Sequence, residues 1–393
     1  MSETATASRF PIAPISAGLI AAVVGFGSSF PVVVQGFQSV GASEQEAASG
    51  LMALAILMGL SAMILSWRSR TPVSVAWSTP GAALLISTGA VDGGFPAAVG
   101  AFLLTGLLIV IAGVVKPFRD IVSSIPSSIA NAMLIGILLK LCLAPVEAMG
   151  VIPQYALPVV LVWAVMMRFA RLYAVPVSVA LTAAIIVATA DFTGSGASIA
   201  PDPVLVTPQF NWQAMVSLAI PLFVVTMASQ NIPGIAVLQA YGYKPRVRET
   251  FLVTGVGTMI GAPFGAQAIN YAAITAVICA GDEAGPDKDR RWIAAFTSGV
   301  FYVLFGFAAT FATVLIAASP PLLIQAVAGL ALMGALGNAL LGAVREPQDR
   351  DAATITFVVA ASGMTFLGIG AAFWGLIAGG AILLLHRFRR KET

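Results

Sequence analysis

The stretch Arg70-Thr-Pro-Val-Ser-Val-Ala-Trp-Ser-Thr-Pro-Gly-Ala-Ala-Leu-Leu-Ile-Ser87 decides the reading of this chain. It is apolar enough for a membrane, but its first half is badly suited to helix: Pro72, Val73, Val75 and Trp77 read as a short extended piece. Ser78 and Thr79 then offer N-caps, and Pro80 suits the first helical position. A helix is therefore expected to begin inside the hydrophobic layer. Extended backbone at that depth is tolerated only where protein buries it or where it lines a cavity. Pro263-Phe-Gly-Ala-Gln-Ala-Ile-Asn-Tyr-Ala-Ala-Ile-Thr-Ala-Val277 has the same grammar, with Gly265 to Ile269 extended and Asn270 capping a helix that opens at Tyr271. Two interrupted apolar segments at corresponding places in two halves of a chain point to a transporter's binding site.

Composition fixes the class. Of 393 residues, 59% are hydrophobic and 9% charged, where soluble domains carry about 25% charged residues; the mean hydropathy is +0.95. This is an integral membrane protein, and the 38 Gly and 23 Pro suit tightly packed, interrupted membrane helices. Residues 1–10 show no signal-peptide pattern. The 2 cysteines, Cys142 and Cys279, fall near opposite faces of the layer, and no metal-ligand cluster or cofactor motif is present. The basic pI reflects the Lys and Arg of the inner loops and not a nucleic-acid surface, and the lone His386 lies in a basic tail, Arg387, Arg389, Arg390 and Lys391, that suits lipid headgroups.

Hydropathy gives fourteen spans, at about 12–38, 46–67, 73–91, 95–115, 121–142, 153–169, 174–190, 213–240, 249–263, 268–281, 292–317, 321–343, 352–369 and 371–386. With both termini in the cytoplasm, every one of the 20 Lys and Arg residues except Lys140 falls on the inner side. The polar connection 191–212 divides the spans into two sets of seven, so the halves have opposite orientation. Ser28-Ser-Phe-Pro-Val matches Gln230-Asn-Ile-Pro-Gly; the interrupted spans are the third and tenth. Span five carries Asn131 five residues after Pro126, and span twelve carries Gln325 five residues after Pro320.

Spans three and ten run in opposite directions, so their helix starts should face one another near the midplane. Each start offers free N–H groups and a partial positive charge, together a site for an anion without a cationic side chain. Residues expected to line it are Ser28, Ser29 and Phe30; Trp77, Thr79, Pro80 and Gly81; Gln230, Asn231 and Ile232; and Gln267, Asn270 and Tyr271. Neutral donors beside aromatic walls suit a small amphipathic anion, its carboxylate at the helix starts and its ring against Phe30, Trp77 or Tyr271. Singly, such Ser and amide residues are as well explained by helix–helix hydrogen bonds; the argument rests on their convergence. No His, Cys–His pair or paired carboxylate lies within a span, so an enzyme or scaffold is disfavoured, and no proton carrier can be named.

Gly25-Phe-Gly-Ser-Ser-Phe-Pro-Val-Val-Val-Gln35, Thr71-Pro-Val-Ser-Val-Ala-Trp-Ser-Thr-Pro-Gly-Ala82 and the 263–277 stretch resemble bacterial benzoate/proton symporters of the BenE type, over nearly the whole chain, including Lys116-Pro-Phe118. More distantly the layout resembles uracil and sulfate/bicarbonate transporters. The resemblance implies an all-α polytopic protein of 14 transmembrane segments in a 7+7 inverted repeat, with a core domain moving against a gate domain. A cytoplasmic N-terminus (1–11) would precede the first core segment (12–117) and the first gate segment (118–191). An extracytoplasmic linker (192–212), the second core segment (213–318) and the second gate segment with the basic tail (319–393) would follow. The resemblance also implies benzoate import with protons across a bacterial inner membrane, substrate between spans three and ten, Asn131 and Gln325 facing the cleft, and a homodimer as one option. Nucleobase relatives place Glu on helices eight and ten, where this chain has Gln230, Asn231, Gln267 and Asn270. A carboxylate substrate would be repelled by such acids, so their absence favours an anion. An anion channel or exchanger, or a nucleobase/proton symporter, are the alternatives on the same fold.

Overall fold

The computed structural model describes residues 11–123, 125–189 and 202–391. Its helices and strands follow the hydropathy closely. α1 (Ile12–Gly27) and α2 (Phe30–Ser39) meet at Ser28–Ser29, followed by α3 (Glu44–Ser69), β1 (Val75–Trp77), α4 (Thr79–Thr88) and α5 (Gly94–Val114). α6 (Lys116–Ser123) leads to α7 (Ser127–Val151), α8 (Pro153–Phe169) and α9 (Ala174–Thr189). α10 (Trp212–Ala214), α11 (Ile220–Thr226) and α12 (Ile232–Ala240) run on through two π-helical turns, and α13 (Val247–Gly261), β2 (Ile269–Tyr271) and α14 (Ile274–Ala280) follow. The chain ends with α15 (Trp292–Phe307), α16 (Ala309–Ala317), α17 (Pro321–Val344), α18 (Arg350–Ala361), the hairpin β3 (Thr365–Phe366) and β4 (Ile369–Gly370), and α19 (Ala371–Lys391).

Among the described residues, 7 helices can cross a membrane by length and composition, or 8 with the bent pair α15–α16 counted as one. Several of the fourteen expected spans are too short to count, among them α4 with 10 residues, α14 with 7 and α18 with 12. Span five is displaced: α7 runs through Pro145 to Val151, because the ring of Pro145 and the carbonyl of Leu141 pack against Gly329 of α17 and cover the interruption. Lys140, expected at a span end, consequently lies within α7 on an exposed face. Span eleven is bent by 54° between Phe307 and Ala309. Span thirteen ends at Ala361, and Gly363 and Gly368, both with positive φ, turn the β3–β4 hairpin into α19.

The π turns have a visible cause. A proline cannot donate to the carbonyl four residues back and its ring crowds that carbonyl. For Pro221 and Pro233 the crowded residues are Ser217 and Ser229, and each sits inside a wide turn, Met215–Ala219 or Met227–Asn231. Both serines turn their Oγ back onto the carbonyl four residues earlier, at 2.6 Å.

Helix packing relies on small residues, since apolar lipid supplies no hydrophobic drive between helices. Across α3–α15, a Cβ at Gly59 would lie 2.5 Å from the carbonyl of Gly299, and the reverse is equally true. Across α5–α13, Gly106 and Gly255 stand in the same reciprocal relation at 2.9 Å. α7, α17, α18 and α19 pack on one another, with α8 and α9 alongside. Gly59→Val should force α3 and α15 apart at a cost of about 1–3 kcal/mol, read as a fall in apparent melting temperature in detergent.

Candidate functional site

β1 and β2 pair antiparallel, with Val75 opposite Tyr271, Ala76 opposite Asn270 and Trp77 opposite Ile269. The pair is extended at both ends: Ser78 N–H donates to the Ala268 carbonyl (3.0 Å) and Ala272 N–H to the Ser74 carbonyl (2.9 Å). Side chains supply the partners the strands lack. Tyr271 N–H donates to Asn231 Oδ1 at 3.0 Å, and Ile269 N–H to Thr258 Oγ1 at 3.1 Å. Gln267 Nε2 donates to the Ser78 carbonyl at 2.9 Å, and Ser66 Oγ to the Val73 carbonyl at 3.1 Å. With its amide oriented to suit its neighbours, Asn270 donates to the Tyr271 carbonyl (2.7 Å) and accepts from Ser78 N–H (3.1 Å).

α4 starts directly after β1, at the end of the strand pair. Ser78 is its N-cap, accepting from Gly81 N–H at 3.1 Å, and Thr226 Oγ1 on α11 donates to the same hydroxyl at 3.0 Å. Pro80 is thus the second helical residue, after Thr79. On the other side, Asn270 lies inside β2 and caps nothing; α14 opens only at Ile274, behind Ala273, which makes no side-chain cap. The extended register continues past Asn270 because the hydrogen bonds of Tyr271 and Ala272 hold it there.

The sequence-derived residues sort into two sets. Ser29, Trp77, Pro80, Gly81, Asn231, Gln267, Asn270 and Tyr271 are buried and form the frame. Trp77 Nε1 donates to Ser29 Oγ (2.9 Å), which donates to the Gly25 carbonyl (3.0 Å), and Tyr271 OH donates to Thr250 Oγ1 (2.7 Å). Ser28, Thr79 and Gln230 are half-buried and Ile232 is exposed. Phe30, nearly buried, stacks on Phe26 at 5.6 Å, and Phe26 in turn meets Trp77 and Phe305 at 5.3 Å. Gln267 Oε1 is buried without a partner, next to Gly81 in the first turn of α4.

Asn131 is not brought to this place: its Nδ2 donates to the Ser127 carbonyl (2.7 Å) and its amide packs on Gly342 of α17. Gln325 is half-buried on α17, between Ile324 and Val327, two residues that pack near Phe30. Sequence reasoning missed Thr250 and Thr258, whose spacing around Thr254 marks one face of α13 as the polar support of β2. It also missed Ser74 and Thr275, whose hydroxyls bond at 2.8 Å between the two interrupted segments. Beyond the helices, burial pushes the Tyr243 phenol up; the Arg291 guanidinium opposes the rise, and Asp289 and Asp287 add to it. Among the described residues no group of His, Cys, Asp and Glu side chains could hold a metal ion.

The fold is that of a mostly helical, polytopic membrane transport protein. It is similar to the transmembrane domain of a cyanobacterial bicarbonate transporter, BicA, with a TM-score of 0.58 at 15% identity over 94% of this chain and 97% of that one. It is also similar to SLC26A9, with a TM-score of 0.64 at 13% identity over 96% of this chain and 65% of that one. Residues 8–385 match the family described as BenE: Benzoate membrane transport protein, and the chain belongs to that family, one of transporters and not of enzymes. The inner membrane protein YdcO of Escherichia coli (strain K12) is 41% identical, over 94% of this chain and 95% of that protein. A benzoate membrane transport protein of Acinetobacter baylyi is 32% identical over 92% of each.

Ser78→Ala removes the cap of α4 and strands the Thr226 hydroxyl, so a loss of about 1–2 kcal/mol is expected. Trp77→Phe and Ser29→Ala should lose less together than the sum of their separate effects, with a coupling of about 1 kcal/mol. Melting of purified variants checks both.

Proposed function

We propose that this protein imports benzoate or a close aromatic carboxylate together with protons across a bacterial inner membrane. The observation that carries the proposal is the start of α4 at the end of the β1–β2 pair, where Ser78 caps the helix and Thr79 is accessible. The partial positive charge at such a start favours an anion. The ring of the substrate goes against Phe30 and Phe26, and Ser28, Gln230 and Ile232 complete the wall. Ser29, Trp77, Pro80, Gly81, Asn231, Gln267, Asn270 and Tyr271 hold the frame from behind. Because α14 has only 7 residues and begins after Ala273, the carboxylate is assigned to α4 alone and not shared between two helix starts.

The fourteen-segment inverted repeat belongs to the same proposal, with a core of spans 1–4 and 8–11, a gate of spans 5–7 and 12–14, and cytoplasmic termini. Its support is a pattern of paired contacts. An inverted repeat of seven exchanges spans two and eleven with spans nine and four, and α3–α15 and α5–α13 are the two interfaces built on reciprocal glycines. It likewise maps β1 onto β2, which pair with each other. The core moving against the gate exposes the wall residues to alternate sides of the membrane.

A cotransported proton cancels the charge of the anion, so the membrane potential does not oppose uptake. Among the described residues no carboxylate is buried, and Arg291, the one buried charged side chain, is bound to the turn that follows α14. That observation favours, as a second reading, exchange of one anion for another on the same site.

Labelled benzoate uptake into proteoliposomes decides between them. An inward proton gradient at clamped potential should drive accumulation without a counter-anion; accumulation that needs an internal anion and ignores the gradient makes the protein an exchanger. Thr79→Val, which leaves the Ser78 cap intact, should raise the half-saturating benzoate concentration by about tenfold. An unchanged value moves the carboxylate away from α4.

A further inference from the structure

The boundary between the two groups of helices differs at its two ends. At one, Phe30 and Pro31 of α2 pack against Ile186 of α9, Leu315 of α16 and Ile324 of α17, leaving a cavity of about 20 Å³. That is room for about one water, and the lining is apolar. At the other end a cavity of about 300 Å³ separates α1 from the α8–α9 junction, lined by Ser16, Ile20, Arg171, Leu172, Tyr173 and Glu283.

This second cavity has one cation and one anion on its wall. Arg171 opens the turn after α8, while Glu283 belongs to the turn that follows α14 and packs on α1. Neither side chain has a hydrogen-bond or ion-pair partner among the described residues, and both are exposed. Exposed opposite charges gain little from each other in water. Their attraction grows as the space between them closes and water leaves.

Glu283 is presented from a rigid turn. Arg291, 2% exposed, donates from Nε to the Gly285 carbonyl (2.7 Å), from Nη1 to the Ala280 carbonyl (2.6 Å) and from Nη2 to Asp282 (2.7 Å). These bonds bracket residues 280–285 on both sides of Glu283 and tie the turn to the last carbonyls of α14. The same guanidinium suits the negative end of that short helix.

We propose that Arg171 and Glu283 are positioning residues of the transport cycle, a charge pair that is open in this conformation and closes this end of the cleft when core and gate swing together. The pairing holds that end shut while the apolar contacts of Phe30 at the opposite end release. The proposal rests on the core-and-gate reading above, in which α1 and the 282–284 turn move with the core and Arg171 with the gate.

The test uses the full-length protein and two readouts. Both native cysteines are buried, so a Ser16→Cys thiol in the cavity is the reactive one, and its maleimide labelling rate reports opening without any substrate. In monodisperse protein, Arg171→Glu or Glu283→Arg should raise that rate several-fold, and the combined swap should bring it back. In proteoliposomes each single reversal should lower benzoate uptake by about tenfold, with recovery in the swap. Labelling that ignores the single reversals, or a swap that behaves as the sum of two defects, overturns the pair. If wild type takes up no benzoate, the substrate assignment fails, and the labelling rates still decide the pair on their own.

Discussion

Everything in this fold depends on satisfying the polar groups of two short, buried stretches of extended backbone. Each of β1 and β2 is 3 residues long, and a lone strand in hydrocarbon would leave polar groups unpaired at a cost of several kcal/mol each. The chain solves this by pairing the strands with each other and by sending side chains to the edges that pairing cannot reach. Asn231 comes from a π turn, Thr258 from α13, Gln267 from the approach to β2, and Ser66 from α3. The scaffold around the strands is therefore polar inside and apolar outside. Most of its buried Ser, Thr and Asn side chains bond backbone or one another, and Gln267 keeps one oxygen without a partner.

That arrangement explains why an accessible site can sit beside it. Ser78 serves three partners at once, the first turn of α4, the Thr226 hydroxyl and, through its backbone, the β2 segment. The start of α4 is thereby fixed in place with its polar groups oriented. Small residues bring α3 onto α15 and α5 onto α13, while one cavity lies between α2, α9, α16 and α17 and the larger one between α1 and the α8–α9 junction.

Much of this was legible in the residues, and the failures are instructive. Pro72, Ser78 and Pro80 announced an extended piece, a cap and a helix start, and the structure moves the start by only a residue. The second interrupted segment was harder. Asn270 looks like a cap by type, yet it is a strand residue, because the competing partners, Asn231 and Ser74, lie 39 and 196 residues away in sequence. Hydropathy ends span five near residue 142, but the contact of Leu141 and Pro145 with Gly329 carries α7 onward to Val151. The spacing of Asn131 from a proline suggests a place on the cleft, while the packing of α7 on α17 sets its amide against Gly342.

The sequence by itself determined the membrane class, the existence and order of nearly every helix, and the two places where helix gives way to strand. These follow from hydropathy and from the local chemistry of Pro, Gly and capping residues, which act over a few positions. Only the tertiary structure decided which polar residues are frame and which are wall. Ser28 and Ser29 are neighbours of one type, and Gln230 and Asn231 nearly so, yet in each pair one is buried in the frame and one is accessible. Burial depends on which distant segment packs alongside, and the residues on the far side of that contact are not encoded in the local pattern.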